Sequence, residues 1–212
     1  MKQKHVVFDF DGTIADSFET VMKSFNVTLK RFGLEGIGGD VLDVLRGLTI
    51  KERMSKFKVP PAKIEELLGE SKKEVLKLFD QVKPFKGMKE VLEELKRTGL
   101  GVGIVTSNLK QSVEIFVEEN DFDLFDYVYC GSGVLDKKVM MERLLKEQRL
   151  CKERMIYVGD GVRDVEVAKK VGVATIAVSW GYDGRDVLKA SGPDYLVDKP
   201  EEIIGVVDEI FS

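Results

Sequence analysis

Val6-Val7-Phe8-Asp9-Phe10-Asp11-Gly12-Thr13 sets three apolar residues directly before two acids and a glycine. A short apolar run ended by turn-forming residues reads as a strand buried on both faces. The same pattern recurs at Val102-Gly103-Ile104-Val105, Tyr127-Val128-Tyr129, Met155-Ile156-Tyr157-Val158, Thr175-Ile176-Ala177-Val178 and Tyr195-Leu196-Val197. Amphipathic segments lie between these runs. Met88, Val91, Leu92 and Leu95 repeat at helical spacing, and Gly99 follows where a C-terminal cap would fall. Val162, Val165, Ala168 and Val171 form another stripe. Strands alternating with helices predict an α/β fold, a doubly wound open parallel sheet.

The alternation breaks from Asp16 to about Lys83, where the patterns are helical. Asp16-Ser17-Phe18-Glu19 has the form of a capping box, and Phe18, Val21, Met22, Phe25, Leu29 and Phe32 follow at helical spacing. A second stripe contains Ile64, Leu67, Leu68, Val75, Leu76 and Phe79. The expected organisation is a catalytic core of residues 1–15 and 84–212, with a helical cap of residues 16–83 inserted after the first strand. An insertion there lies over the carboxyl ends of the strands, where open α/β sheets bind ligands.

Composition narrows the chemistry. With 212 residues the chain can bury a substantial core without disulfides. A formal net charge of −4 argues against a general nucleic-acid surface, and a phosphorylated ligand would need a local cation or a placed lysine. Cys130 and Cys151 show no paired spacing, and the chain enters its first strand without a signal-peptide pattern or a membrane-length apolar run, so a cytoplasmic protein is expected. His5 is the only histidine. A Ser-His-Asp triad and a multi-histidine zinc site are thereby disfavoured, leaving hydrolytic work to carboxylates.

Asp9 and Asp11 would face the same way on a regular strand and together offer oxygen ligands to a hard divalent cation. One carboxylate can attack phosphorus while its neighbour protonates a leaving alkoxide. Loop aspartates bonded to backbone amides are the alternative. Thr106, Ser107 and Asn108 follow the second core strand and suit phosphoryl oxygens, or equally a helix-capping turn. Lys137-Lys138 can neutralise phosphoryl charge or simply sit in solvent. Asp160 and Asp164, four apart across a helix start, can complete a magnesium site; N-capping explains one of them more readily than both.

The ordered set of acid pair, hydroxyl, lysine and second acid pair resembles the haloacid dehalogenase superfamily of phosphohydrolases. The stretch Asp11-Gly12-Thr13-Ile14-Ala15-Asp16-Ser17 and the later Trp180-Gly181-Tyr182 look like its phosphoglycolate phosphatase branch, with a small α-helical cap. The resemblance implies a nucleophile at Asp9, an acid/base at Asp11 and a phosphoryl-binding hydroxyl at Thr106. It implies a charge-balancing lysine at Lys137, with Lys138 the alternative because the branch's usual proline after that lysine is missing. The Mg2+ site would comprise Asp9, the main-chain oxygen of Asp11 and Asp160 as direct ligand, with Asp164 behind it. Gly12, Thr13, Ser107 and Asn108 would line the phosphoryl site. The acid at Asp11 counts against a dehalogenase, since a halide leaving group needs no proton.

The resulting expectation is a magnesium-dependent phosphatase acting on a small phosphorylated metabolite, with no nucleic-acid or membrane partner. A phosphomutase and a non-catalytic binding protein on this fold are the alternatives. Arg46, beside Gly47 and Leu48 between two helical patterns, is either a cap contact to a carboxylate or second phosphate, or a solvated helix-end residue.

Overall fold

The computed structural model describes residues 3–36, 48, 50–131 and 137–212. Six strands, β1 (His5–Phe8), β2 (Gly101–Thr106), β3 (Tyr127–Cys130), β4 (Met155–Gly159), β5 (Ala174–Val178) and β6 (Tyr195–Val197), form one sheet in the order β3-β2-β1-β4-β5-β6. Every pairing is parallel; Val7 lies opposite Gly103 on one side and Tyr157 on the other. The first strand is therefore central, and the order reverses between β1 and β4. Helices that follow these two strands leave toward different sides, which opens a crevice at their carboxyl ends.

Alternation along β1 loads both faces. Val6 and Phe8 join Ile104, Ile156 and Val158 in one core, covered by α4 (Met88–Arg97), α5 (Lys110–Asn120) and α9 (Glu202–Phe211). Val7 points the other way, into a core with Val105, Tyr157, α6 (Lys137–Glu147) and α7 (Val162–Val171). A smaller cluster of Val165, Ala177 and Leu188 seats α8 (Arg185–Ser191). Full burial does not extend to β3, whose residues are half-buried or exposed because it forms a sheet edge. The apolar run at 127–129 thus overstated the burial of that strand.

Between β1 and α4 the described residues form α1 (Phe18–Arg31), α2 (Ile50–Lys56) and α3 (Ile64–Leu76). They share their own core of Phe18, Met22, Phe25, Leu29, Met54, Phe57, Val59 and Leu67. The second helical stripe is divided between two cores: Leu67 packs there, whereas Val75 and Phe79 join the sheet's cluster. The chain leaves and returns side by side. Ala15 bridges to Pro84, and the Asp16 amide donates to the Lys83 carbonyl at 2.8 Å.

The capping-box expectation fails at α1. The N-cap residue is Ser17, one position later than the box requires, and its side chain makes no cap bond. Its hydroxyl is committed elsewhere.

Candidate active site

β1 ends at Phe8, so Asp9 and Asp11 lie in the turn beyond it rather than on one strand face. Phe10 between them is fully buried against Phe79 and Phe116 and anchors the turn. Its carbonyl accepts from the amides of Ile14 and Ala15, both at 3.0 Å. Gly12 has φ of +78°, and a Cβ there would sit 2.2 Å from Asp160 Oδ2 and 2.4 Å from the Tyr182 ring. Only glycine satisfies both the left-handed backbone and the close approach. The two acids consequently take different partners, and the regular strand on which they would share a face stops before them.

Asp9 is held by its amide, which donates to the Val158 carbonyl of β4 at 2.8 Å. Its carboxylate meets Lys137 Nζ at 2.9 Å, and the same ammonium donates to Asp164 Oδ1 at 2.6 Å. Lys137 is 4% exposed; Lys138, its neighbour, points outward to Glu142 with 44% of its side chain exposed. Of the two lysines, the structure brings Lys137 to the acids. Burial alone would lower the Lys137 pKa, but Asp164 and Asp9 beside it hold it above the ordinary lysine range. Burial pushes the Asp9 carboxyl up to about 7, against the pull of Lys137.

Asp160 and Asp164 enter from the β4–α7 turn. Asp160 accepts from Thr13 Oγ1 at 3.0 Å and from the Tyr182 amide at 2.7 Å. Asp164 Oδ2 accepts from the Gly161 amide at 2.9 Å, the N-capping contact, while its other oxygen meets Lys137. Burial raises the Asp160 pKa well above the carboxylate range, and Asp9 and Asp164 add repulsion. Oxygens of Asp9, Asp160 and Asp164 lie within 4.8 Å of one another. Fully ionised, three buried carboxylates against one ammonium would leave two negative charges in a site that water cannot screen, which is why the Asp9 and Asp160 carboxyls are raised without a cation. A hard divalent cation fits this all-oxygen set by both charge and ligand type. The side chain of Asp11 is not part of it.

Asp11 is placed among neutral donors. Ser17 Oγ donates to Oδ1 at 2.7 Å and Asn108 Nδ2 to Oδ2 at 2.8 Å. Burial raises its pKa, while these two hydrogen bonds oppose the rise. Thr106 is buried at the end of β2, and its hydroxyl oxygen accepts from the Asn108 amide at 3.0 Å. Asn108 thus serves both: its Nδ2 donates to Asp11, while its Oδ1 accepts from the amide of Leu109, the N-cap residue of α5, at 2.7 Å. Ser107 is half-buried, and its carbonyl accepts from Lys72 of α3. Thr13 turns its hydroxyl to Asp160. Arg46 lies outside the described residues.

Four residues at the site went unassigned in the sequence reading. Lys72 approaches from α3 and looks like any other helix lysine in sequence. Ser17 read as part of a capping box. Tyr182 and Asp183 follow β5. The Tyr182 carbonyl accepts from Arg53 Nη2 of α2 at 2.6 Å, and that guanidinium lies over the rings of Phe18 and Tyr182. Asp183 pairs with Arg53 at 3.4 Å and accepts from the Val162 amide at 2.8 Å. Helix α2 is thus tied to the loop that orients Asp160. Trp180-Gly181-Tyr182 was the signal that marked this loop, although not its contacts.

A carboxylate nucleophile candidate beside a lysine and two further acids, at the switch point of a doubly wound sheet, defines a hydrolase of the phosphatase class. Residues 6–178 match the family model of the haloacid dehalogenase-like hydrolases, and the chain belongs to that family. It is 30% identical over 206 residues to phosphoglycolate phosphatase of Synechococcus elongatus, covering 97% of each chain. Pyrophosphatase PpaX of Bacillus mycoides is 31% identical over 216 residues, covering 99% of each. A haloacid dehalogenase-like family hydrolase from Streptococcus pneumoniae shares the fold with a TM-score of 0.82 at 22% identity, over 97% of this chain and 99% of that one. No helix among the described residues is long and apolar enough to cross a membrane.

Proposed function

We propose that this phosphatase hydrolyses small phosphorylated metabolites through an aspartyl phosphate on Asp9, with Asp11 as general acid and then general base. The observation that carries the reading is the division of the two acids. Asp9 is buried against Lys137 within the carboxylate cluster, and Asp11 sits 2.7 and 2.8 Å from neutral donors. An Asp9 oxygen attacks phosphorus as the bond to the leaving oxygen breaks, and that oxygen takes the proton from Asp11. Water then attacks the phosphoryl group, giving its proton to Asp11 and returning Asp9 as a carboxylate. The products are an alcohol and inorganic phosphate.

Thr106 Oγ1 already accepts from the Asn108 amide, so its own proton is available to a phosphoryl oxygen, with the Ser107 amide beside it. Magnesium held by Asp9, Asp160, Asp164 and the Asp11 main-chain oxygen would supply the positive charge that draws the phosphoryl group into a cluster of acids. Lys137 balances charge between Asp9 and Asp164.

Residues 16–83 serve as a lid over the core of 1–15 and 84–212, and compact substrates fit beneath it. The named activities of the two similar enzymes and the approach of Lys72 from α3 both support a small, anionic substrate. A cytoplasmic setting is supported by two free cysteines, Cys130 and Cys151. The test is a panel of phosphorylated metabolites, including phosphoglycolate and pyrophosphate, assayed with magnesium and with chelator, followed by mass mapping of trapped phosphoenzyme. Turnover that needs magnesium and phosphate carried on Asp9 are expected. Full activity in chelator, or phosphate mapped to another residue, would overturn the mechanism.

A further inference from the structure

Ser17 is fully buried and stands at the N-cap of α1, where a serine ordinarily bonds a helix amide. Here it makes no such bond. Its hydroxyl instead donates to Asp11 Oδ1 at 2.7 Å and meets the Tyr182 hydroxyl at 3.0 Å. A serine hydroxyl has one proton. With that proton on the Asp11 carboxylate, the second contact is made by Tyr182 donating to Ser17. The result is a directed chain from Tyr182 through Ser17 to Asp11.

The phenol is placed by contacts that span cap and core. Its ring packs edge-on against Phe18, the first residue of α1, at 5.1 Å between centroids, and lies beneath the Arg53 guanidinium. The Tyr182 amide is fixed on Asp160 and its carbonyl on Arg53. Gly12 leaves the space that the ring edge fills. A local rule of helix capping is thus broken at a residue touching the proposed general acid, where such exceptions gather when function requires them.

We infer that Tyr182, acting through Ser17, is a positioning residue for Asp11: the two hydroxyls form a strut that holds the acid's carboxyl toward the leaving-group oxygen. Both hydroxyls can donate or accept, so the strut survives transfer of the proton to and from Asp11. Phe18 and Arg53 make the strut complete only when the start of α1 and the 180–183 loop are in contact, which links the acid's orientation to the seating of the cap.

The inference rests on Asp11 as general acid, and its test separates the two ideas. The specificity constant kcat/KM reports steps through departure of the leaving group. It is measured on ethyl phosphate, whose alkoxide needs a proton, and on p-nitrophenyl phosphate, whose phenolate leaves without one. Tyr182→Phe keeps the ring and removes only the hydroxyl. It should cost about tenfold on ethyl phosphate, in keeping with a small misplacement of a reacting group, and several-fold less on the aryl ester. In the Asp11→Asn background the same substitution should cost nothing further. Ser17→Ala should show the same selectivity with a larger loss, and Ser17→Thr should recover part of it.

Thermal unfolding of each variant checks that the fold is retained; Ser17→Ala, which leaves the Tyr182 packing intact, stands in should Tyr182→Phe unfold. Equal losses on both esters, or an undiminished loss in the Asp11→Asn background, would overturn the strut while leaving Asp11 as the acid. Should Asp11→Asn itself fail to discriminate the esters, the acid assignment falls and the strut with it.

Discussion

Asp9 and Asp11 are separated by one residue and occupy opposite kinds of surroundings. Around Asp9 the neighbours are charged: Lys137 at 2.9 Å, with oxygens of Asp160 and Asp164 within 4.8 Å. Asp11 instead takes its direct hydrogen bonds from neutral donors, Ser17 and Asn108, one at each oxygen, with Lys137 and Lys72 acting on it only through their charge. The first setting suits a carboxylate that must stay ionised beside a cation and attack. The second suits one that must gain and lose a proton without moving. Environment, rather than residue type, separates the roles, as it does wherever two carboxylates divide acid and nucleophile duty.

The comparison breaks most decisively at Asp9. Asp9→Asn is expected to reduce turnover by roughly 10⁴-fold or more, the scale of losing a nucleophile, because the amide cannot attack phosphorus. Steady-state assay together with the absence of trapped phosphoenzyme checks this, and a variant retaining a tenth of the activity would contradict it. Asp11→Asn is expected to cost about 10²–10⁴-fold in turnover, the range of general acid–base catalysis. Phosphate should still be transferred to Asp9 from an aryl ester in that variant, whereas release of the phosphoryl group to water should slow. Rapid-quench measurement separates the two steps.

Lys137 and Lys138 sharpen the contrast through stability. In chelator, Lys137→Ala leaves Asp9 and Asp164 buried without their shared ammonium and should destabilise the fold by about 3–5 kcal/mol. Lys138→Ala removes an exposed pair with Glu142 and should change stability by no more than about 0.5 kcal/mol. Denaturant titration compares them, and similar losses would show that the buried ammonium has no special role.

The smallest expected effect is on pH dependence. Burial places the Asp9 pKa at about 7 in the folded chain, above its unfolded value, so the folded state holds the extra proton between the two. Stability contributed by that proton is present at acid pH and lost as pH rises through about 7. In chelator the unfolding midpoint of the native chain should therefore fall more steeply between about pH 4 and 7 than that of Asp9→Asn, which cannot ionise there. Identical slopes for the two would remove Asp9 as the source.

Much of this arrangement could be read in one dimension. Apolar runs of three or four residues mark the strands because a parallel sheet buries both faces. The acids, hydroxyl and lysine follow strand ends because an open α/β sheet offers its crevice there. Asp9, Asp160 and Asp164 came together at that edge, and the choice between Lys137 and Lys138, open in the sequence, fell to Lys137 in the structure. The stripe of α3 was less informative, since helical spacing shows that Val75 and Leu67 are buried but not that they enter different cores.

What the sequence alone determined, then, was the alternating fold and the positions where acids meet the edge of the sheet. Both follow from local periodicity and from where a strand must end. Tertiary structure alone decided what each side chain faces. Ser17 reaches Tyr182 across 165 positions, Asn108 reaches Asp11 across 97, and Lys72 reaches Ser107 from a separate helical core. Past Phe8 the strand's strict alternation of faces no longer holds. The direction of Asp11 is then set by the buried Phe10, the left-handed Gly12 and the partners that folding delivers, none of which has a periodicity to read.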